Sequence, residues 1–268
     1  MSKYILKIND LTKSFTSDKD KSPLLFDSLT IEFPAGAVIG LMGTNGAGKT
    51  TLFNIISRLV DCDKGNIWYD NGDKQIDLLK LKANVLKGIG IGRLFQDNHI
   101  FADMTILDNL LIGGEDSFGE TPFITLFKRK KHKEKEKIRV AKAKMILTEL
   151  FGKDNYFWQN RNNYASELSY GQQRLLGIAR LLMSDHKLLL LDEPTAGVHP
   201  EIREMICEVI RKINTSKGVS IIIIEHNFKV IEVTADECCF IDQGEIAAVG
   251  PPEDIIGNPI VRKKYIGI

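Results

Sequence analysis

The chain has 268 residues, of which 43% are hydrophobic and 26% charged, and its formal net charge is +1. These values are typical of a globular protein with a full core, built as one large domain or as one domain carrying a subdomain. The near-zero charge favours neither nucleic acid nor an acidic substrate as a partner. Apolar runs fall short of the roughly 20 residues that cross a bilayer, and we expect neither a membrane span nor a signal peptide.

The four cysteines lack the spacing of a metal site. They contain no C-x-x-C pair, and no cluster of histidines lies near them in the sequence. We therefore expect buried, reduced thiols of a cytosolic protein instead of a disulfide framework or a zinc site. The residues concerned are Cys62, Cys207, Cys238 and Cys239.

The sequence predicts two kinds of strand, one half-buried and one buried on both faces. Apolar and polar residues alternate over residues 4–11 and 29–33, which with residues 66–69 predict an antiparallel edge sheet. Residues 38–42 are apolar without a break, as is typical of a strand buried on both faces of a parallel sheet. Residues 188–191 have the same unbroken apolar character, and residues 219–224 share it apart from Ser220.

The middle of the chain, from about Asp97 to Met183, has mainly helical patterns. One example is the helical spacing of Ile138, Ala141, Met145, Ile146 and Leu150. Short aliphatic strands thus alternate with longer helices along the chain. This alternation predicts an α/β fold whose main sheet is mostly parallel.

Residues 43–51 match the phosphate-binding pattern G-x-x-x-x-G-K-[ST], between the strand at 38–42 and a predicted helix that starts near Lys49. Glycines allow the tight turn that aims backbone N–H groups at phosphate oxygens, and the helix N-terminus adds the positive end of its dipole. The Lys49 ammonium can neutralise the β- and γ-phosphates, and the Thr50 hydroxyl is suited to ligate Mg²⁺. The predicted phosphate-binding residues are Gly43, Thr44, Asn45, Gly46, Ala47, Gly48, Lys49, Thr50 and Thr51.

Two adjacent carboxylates, Asp192 and Glu193, follow the predicted strand at 188–191. In an open α/β sheet, ligands bind at the carboxyl ends of strands, so we expect Asp192 to point toward the phosphate-binding loop. Asp192 is suited to the Mg²⁺ shell, through water, and Glu193 can polarise the water that attacks the γ-phosphate. His226 follows the next strand, where an imidazole can hydrogen-bond the γ-phosphate and sense its loss.

The segment Leu168-Ser-Tyr-Gly-Gln-Gln-Arg174 precedes a predicted helix and ends 18 residues ahead of Asp192. It resembles the signature sequence of ABC ATPases, and together with the other motifs the resemblance covers essentially the whole chain. The resemblance implies a P-loop NTPase core with a mostly parallel sheet, an antiparallel β edge subdomain and an inserted α-helical subdomain. The implied boundaries are 1–96 for the first part of the nucleotide-binding core, 97–183 for the helical subdomain with the signature, and 184–268 for the second part of the core.

The resemblance also implies roles for individual residues. Gln96 resembles the Q-loop glutamine that contacts Mg²⁺ and the attacking water, Phe15 resembles the aromatic residue that stacks on adenine, and residues 195–198 resemble the D-loop. At the signature, Ser169, Gly171 and Gln172 are implied to hold a γ-phosphate. The implied catalytic residues are Glu193, His226, Gln96 and Lys49, and the implied Mg²⁺ ligands are Thr50, Gln96 and Asp192.

In this family, the signature of one subunit completes the site for ATP bound on the P-loop of the other. The resemblance therefore implies a head-to-tail dimer with an identical or similar ATPase subunit, which closes around two ATP molecules and opens after hydrolysis. It also implies membrane permease subunits as partners and no nucleic acid. The implied location is cytoplasmic and peripheral, on the inner face of the cell membrane.

Several details resemble the ATPases of branched-chain amino-acid importers, among them the Ser-Tyr-Gly-Gln-Gln-Arg form of the signature and the ending that begins Gly250-Pro-Pro-Glu. We therefore expect ATP hydrolysis that energises import of branched-chain amino acids or similar small solutes. Two alternatives stay open: the ATPase of a lipid or lipopolysaccharide exporter, and a soluble ABC ATPase without a role in transport. ATPases of the latter class usually carry fused ATPase units, coiled-coil arms or zinc hooks, which this sequence lacks.

Three positions depart from the family pattern. Thr44 stands where proline is common, Tyr170 where glycine is common, and His199 where aspartate or asparagine is usual. We expect the change at Thr44 to be tolerated because the phosphate site uses the backbone of this residue.

Two segments allow two interpretations each. The basic stretch at 128–137 is either a solvated helix start or surface loop, or a contact with anionic lipid headgroups or a partner. The apolar residues of segment 97–110 either form the core of the helical subdomain or line a groove for a short helix of a membrane subunit. They are Ile100, Phe101, Met104, Ile106 and Leu107.

Overall fold

The structure is a computed structural model that describes residues 3–15, 24–97, 100–114 and 129–263, with side chains in the last range from residue 134 onward except that of Ile260. The basic residues 128–133 and the C-terminal residues 264–268 lie outside the described side chains. The chain forms two compact units. The first comprises Met1–Gln96, His186–Ala196 and Cys207–Ile268, and the second comprises Asp97–Asp185 and Gly197–Ile206.

The first unit contains two sheets among its described residues. The smaller sheet is antiparallel in the order β2-β1-β4-β5, and the larger has the order β10-β9-β3-β8-β7-β6. In the larger sheet β9, β3, β8, β7 and β6 run parallel, and β10 is antiparallel to β9. The strands are β1 (Tyr4–Lys13), β2 (Phe26–Pro34), β3 (Val38–Gly43), β4 (Lys64–Asp70), β5 (Gln75–Asp77), β6 (Ile91–Leu94), β7 (Leu188–Asp192), β8 (Ser220–Ile224), β9 (Glu237–Asp242) and β10 (Glu245–Gly250).

The helices connect and flank these strands. The first unit has α1 (Lys49–Ile56), α7 (Phe228–Thr234), α8 (Pro252–Gly257) and α9 (Pro259–Val261), with 3₁₀ turns at Leu78–Lys80, Ala83–Val85 and Lys87–Ile89. The second unit has α2 (Ile106–Gly113), α3 (Arg129–Phe151), α4 (Tyr156–Gln159), the 3₁₀ turn Ala165–Glu167 and α5 (Tyr170–Leu181). Helix α6 (Pro200–Lys217) begins in the second unit and ends in the first. No helix among the described residues is long and apolar enough to cross a membrane.

The predicted α/β fold, with a mostly parallel sheet and an antiparallel edge sheet, is confirmed. Every residue of β3, β7 and β8 is buried, because these aliphatic strands lie inside the larger sheet with neighbours on both sides. Alternate side chains of these strands, among them Ile39, Leu190 and Ile222, share one core with α1 and the smaller sheet. Since β3, β8 and β7 are adjacent and parallel, the residues that follow them lie at one edge of the sheet.

Helix α3 in the second unit confirms the helical pattern predicted at 138–150. Ile146 and Leu150 are buried, but Ile138 is 69% exposed and Met145 is 59% exposed. Because 100° separates successive residues of a helix, Ile138 and Met145 fall on the face opposite the buried residues. The apolar spacing therefore predicts the helix but not which side of it is covered.

Two further expectations are met in part. Cys207, Cys238 and Cys239 are buried and free, as expected, but Cys62 is free and only half-buried. In segment 97–110, Ile106 is fully buried and belongs to the core of the second unit, whereas Phe101 is 49% exposed. The exposed Phe101 leaves the second interpretation of this segment, a docking groove, as a prediction.

Candidate functional site

The phosphate-binding loop joins β3 to α1, as the motif predicts. Three of its glycines have positive φ: Gly43 at +154°, Gly46 at +79° and Gly48 at +98°. A Cβ at Gly43 would lie 2.1 Å from the carbonyl oxygen of Ile241, and a Cβ at Gly48 would lie 2.6 Å from the Phe26 ring. At Gly43 and Gly48 the loop therefore follows a path that residues with side chains cannot take, as is typical of loops that turn tightly around phosphate.

Lys49 is buried at the first position of α1. Its ammonium Nζ donates hydrogen bonds to the carbonyl oxygens of Gly43, at 2.8 Å, and of Thr44, at 2.9 Å. Burial lowers the pKa of Lys49, while the negative charges of Glu193 and Asp192 raise it. The ammonium is thus held within the loop that is predicted to bind phosphate. It lies near Asp192 and Glu193, the two carboxylates that are predicted to act in hydrolysis of the phosphate.

The side chain of Thr44 has a partner that the sequence pattern does not predict. Its Oγ1 donates a hydrogen bond to Asp242 Oδ1, at 3.0 Å, where β9 ends. The expectation that Thr44 acts through its backbone is therefore incomplete, because its hydroxyl also attaches the loop to the neighbouring strand. A proline at this position could not make that bond.

Asp192 is fully buried at the end of β7 and pairs with Arg93, a residue that sequence reasoning missed. The Arg93 Nη2 lies 3.0 Å from Asp192 Oδ2, and Nη1 donates to Asn54 Oδ1 at 2.8 Å and to Ser57 Oγ at 3.1 Å. The guanidinium also lies 4.5 Å from the centre of the Phe95 ring. An arginine within the aliphatic strand β6, three residues before Gln96, was the available signal, since a buried charge requires a partner.

Glu193 meets two of the other predicted catalytic residues. Gln96 Nε2 donates a hydrogen bond to Glu193 Oε2 at 3.1 Å, and His226 Nε2 lies 3.0 Å from Glu193 Oε1. Glu193 itself has a φ of +46°, in the left-handed region that residues with side chains rarely occupy. The structure thus brings Gln96, Glu193 and His226 together, although they are distant in sequence.

The signature residues lie in the second unit, at the N-terminus of α5. Ser169 is the N-cap: its Oγ accepts a hydrogen bond from the Gln172 backbone N–H at 3.3 Å, and Gln172 Oε1 accepts one from the Ser169 N–H at 2.9 Å. Both residues are thus joined in a reciprocal capping box. A Cβ at Gly171 would lie 2.7 Å from Ile202 Cγ2, so glycine is required by packing within this unit.

Phe15, the residue implied to stack on adenine, lies just after β1 with an exposed ring. The Lys13 ammonium lies 5.2 Å from the centre of this ring. An exposed aromatic face with a cation beside it can stack on a planar ligand.

The residues present fit ATP and Mg²⁺. The glycine loop with its buried Lys49 ammonium supplies backbone N–H groups and positive charge for phosphates. Thr50, Gln96 and Asp192 supply a hydroxyl, an amide and a carboxylate, and oxygen ligands of this kind suit Mg²⁺ when phosphates complete its shell. Within the part of the chain that the structure describes, no group of three or more His, Cys, Asp or Glu residues could hold a metal ion.

The comparisons with known proteins point to one family. The family model described as "ABC transporter" matches residues 26–196. The high-affinity branched-chain amino acid transport ATP-binding protein BraF of Pseudomonas aeruginosa is 32% identical over 267 residues, covering 100% of this chain and 99% of that protein. The probable branched-chain amino acid transport ATP-binding protein LivG of Archaeoglobus fulgidus is 34% identical, covering 98% and 95%.

The solved structures give the same result for the fold. An ATP-binding cassette of an ABC transporter in its ADP conformation superposes with a TM-score of 0.80 at 31% identity, and each chain covers 100% of the other. The family model, the full-length relatives and this solved structure all point to the same family. The chain therefore belongs to the ABC transporter family, as an ATP-binding subunit with the ATPase fold of that family.

Proposed function

We propose that this chain hydrolyses Mg²⁺-ATP as one half of a head-to-tail dimer and thereby energises import of branched-chain amino acids through membrane permease subunits. It would act from the cytoplasm, on the inner face of the cell membrane. The observation that carries the catalytic part is the Glu193 carboxylate, which lies between Gln96 and His226 at the edge of the sheet that also bears the phosphate-binding loop.

In the proposed reaction, Lys49 and the backbone of residues 43–51 bind and orient the phosphates. Glu193 orients the attacking water and takes up its proton, and His226 hydrogen-bonds the γ-phosphate. Mg²⁺, held by Thr50, Gln96 and Asp192, would neutralise charge on the phosphate oxygens. In this structure Gln96 and His226 both contact Glu193. If Gln96 moves to Mg²⁺ and His226 moves to the γ-phosphate, the Glu193 carboxylate would be free to bind the attacking water.

The proposed dimer is supported by a second set of groups that are suited to bind phosphate. Ser169 lies at the N-terminus of α5, where a hydroxyl and backbone N–H groups can hold an anion. In the proposed dimer these groups complete the site of the other subunit, so ATP binds two subunits together. The partner is an identical chain or a similar ATPase subunit.

The substrate class rests on the full-length relatives. Those from Pseudomonas aeruginosa and Archaeoglobus fulgidus are described as branched-chain amino acid transport ATP-binding proteins, and they align with this chain from end to end. Because the solute itself binds elsewhere in such a transporter, a shared permease partner is the physical reason for a shared substrate.

Hydrolysis is tested by phosphate release from Mg²⁺-ATP, measured with the wild type, Glu193→Gln and Lys49→Ala. We expect turnover in the wild type, binding without turnover in Glu193→Gln, and loss of tight ATP binding in Lys49→Ala. Glu245→Gln, at an exposed position of β10, is the matched control and should keep full turnover. A Glu193→Gln protein with wild-type turnover would show that another residue activates the water.

Transport is tested in cells that lack this chain. We expect uptake of labelled leucine, isoleucine and valine to fall and to return with the wild type but not with Glu193→Gln. In parallel, tagged Glu193→Gln protein is captured with ATP from detergent-solubilised membranes, and polytopic membrane proteins should co-purify. If cells that lack this chain take up all three amino acids normally, while the purified wild type hydrolyses ATP, the substrate class is refuted and the ATPase reaction is retained.

A further inference from the structure

We propose that Glu225 is a positioning residue for ATP hydrolysis, because its buried carboxylate fixes the turn that carries Glu193 and the strand end that carries His226. This inference rests on the proposed function and adds to it a residue that does not touch ATP. Glu225 directly follows β8 and precedes His226 in the sequence.

The turn at residues 193–196 needs to be held in place. Glu193 has a φ of +46°, and a residue with a side chain persists in this left-handed region only where its surroundings determine the conformation. Its N–H donates to the carbonyl oxygen of Ile224 at 2.9 Å, and its own carbonyl accepts from the Ala196 N–H at 3.1 Å. The first of these bonds already ties the turn to the end of β8.

Glu225 provides a second connection between this turn and the end of β8. Its Oε1 accepts two hydrogen bonds from Thr195, one from the backbone N–H at 2.9 Å and one from Oγ1 at 2.7 Å. Both residues are buried, with 3% of each exposed. Hydrogen bonds to a carboxylate in such a place are stronger than bonds between neutral groups, and they are costly to lose because the remaining partners stay buried.

These contacts and the backbone between them connect Glu193 and His226 to each other by two routes. Thr195 is two residues after Glu193, Glu225 is one residue before His226, and His226 Nε2 lies 3.0 Å from Glu193 Oε1. A shift of Glu225 would therefore move both members of the Glu193–His226 contact. Hydrolysis is sensitive to such shifts, because a displacement of about 1 Å can cost on the order of 100-fold in rate.

The test compares kcat and KM for Mg²⁺-ATP in four single variants. Glu225→Ala removes the acceptor, and we expect kcat to fall by about 100-fold while KM and the affinity for ATP stay near the wild-type values. Glu225→Gln keeps an oxygen at the Oε1 position and should retain most of the activity. Thr195→Val removes one bond with little change of volume and should lower kcat by about tenfold, whereas Thr195→Ser should not.

The double variant Glu225→Ala/Thr195→Val should be no slower than Glu225→Ala alone, because the two residues act through the same bonds. If Glu225→Ala does not fold, the near-isosteric pair Thr195→Val and Thr195→Ser decides the matter. Wild-type kcat in Thr195→Val and in any folded Glu225→Ala, or a Glu225→Gln as slow as Glu225→Ala, would overturn the inference. A wild type without turnover, alone and with its permease, would instead contradict the proposed function.

Discussion

The guanidinium of Arg93 lies 3.0 Å from the carboxylate of Asp192, and only 7% and 1% of these side chains are exposed. The same guanidinium donates to Asn54 of α1 and to Ser57, which directly follows α1, so one side chain connects β6, β7 and the helix that follows the phosphate-binding loop. Burial lowers the pKa of Arg93, and its hydrogen bond and ion pair with Asp192 raise it. The pair is therefore part of the scaffold of the site, and one of its members, Asp192, is a proposed Mg²⁺ ligand.

Arg93→Met should lower the free energy of unfolding by about 3 kcal/mol, because it leaves the Asp192 carboxylate buried without its cation. Urea denaturation of the ligand-free protein, followed by circular dichroism, measures this change. Lys7→Met is the control: Lys7 and Glu32 approach to 2.7 Å but are 32% and 39% exposed, so the stability should change little. The double variant Arg93→Met/Asp192→Leu should regain part of the loss, and a further loss would contradict this explanation.

Gly43→Ala should destabilise the protein by about 2 kcal/mol or more and abolish tight ATP binding, since the new Cβ would meet the Ile241 carbonyl and displace the loop. Thermal unfolding and titration with a fluorescent ATP analogue measure the two effects. Gly36→Ala is the matched control, because Gly36 also has a positive φ, +76°, but has nothing within 4 Å of a Cβ. It should lose about 1 kcal/mol of stability and bind ATP normally. Equal ATP affinity in both variants would contradict the role of the clash.

Alkaline pH should destabilise the protein through its buried thiols. Burial, helped by the charges of Glu237 and Glu253, raises the pKa of Cys238 to about 12 from an ordinary value of 9.0. Above pH 9 the unfolded chain releases this proton and the folded chain keeps it, so the free energy of unfolding falls as pH rises toward 12. Burial raises the pKa values of Cys239 and Tyr69 as well, which acts in the same direction.

Cys238→Ala isolates the contribution of one thiol to this pH dependence. Between pH 9 and pH 11 its stability should fall less steeply than that of the wild type, by up to about 1.4 kcal/mol per pH unit, the effect of one proton. Urea denaturation at several pH values measures the slope, which does not depend on any constant loss caused by the smaller side chain. Identical slopes in the two proteins would contradict the assignment.

The sequence predicted the fold and the position of the glycine-rich loop because both depend on local patterns. Unbroken aliphatic runs gave β3, β7 and β8, and the glycine spacing gave the loop between β3 and α1. It did not predict Arg93 beside Asp192, or Thr44 beside Asp242, because these partners are separated by 99 and 198 residues. Contacts of this kind follow from strand order and side-chain rotamers, which no short window of sequence contains.

Ser169→Ala should cost about 1 kcal/mol of stability, because the capping box at the start of α5 is lost. If Ser169 also holds the phosphate of the other subunit, the variant should in addition hydrolyse ATP more slowly while each monomer still binds ATP. Thr105→Ala is the matched control, since Thr105 caps α2 in the same unit through the Asp108 N–H. It should lose similar stability and keep its turnover. Equal turnover in both variants would leave Ser169 with a structural role alone.

Glu193→Gln should accumulate as a closed dimer with saturating Mg²⁺-ATP. The nucleotide binds the two subunits together, and the hydrolysis that would separate them is blocked in this variant. Light scattering should report about twice the monomer mass with ATP and the monomer mass with ADP. Adding Ser169→Arg to this variant places a bulky cation at the N-terminus of α5, where it opposes the helix dipole and blocks the approach of a second subunit. The double variant should therefore stay monomeric and still bind ATP through Lys49. Monomer in both proteins would refute self-association and point to a different ATPase chain as the partner, whereas dimer in both would show that the contact between subunits does not use Ser169.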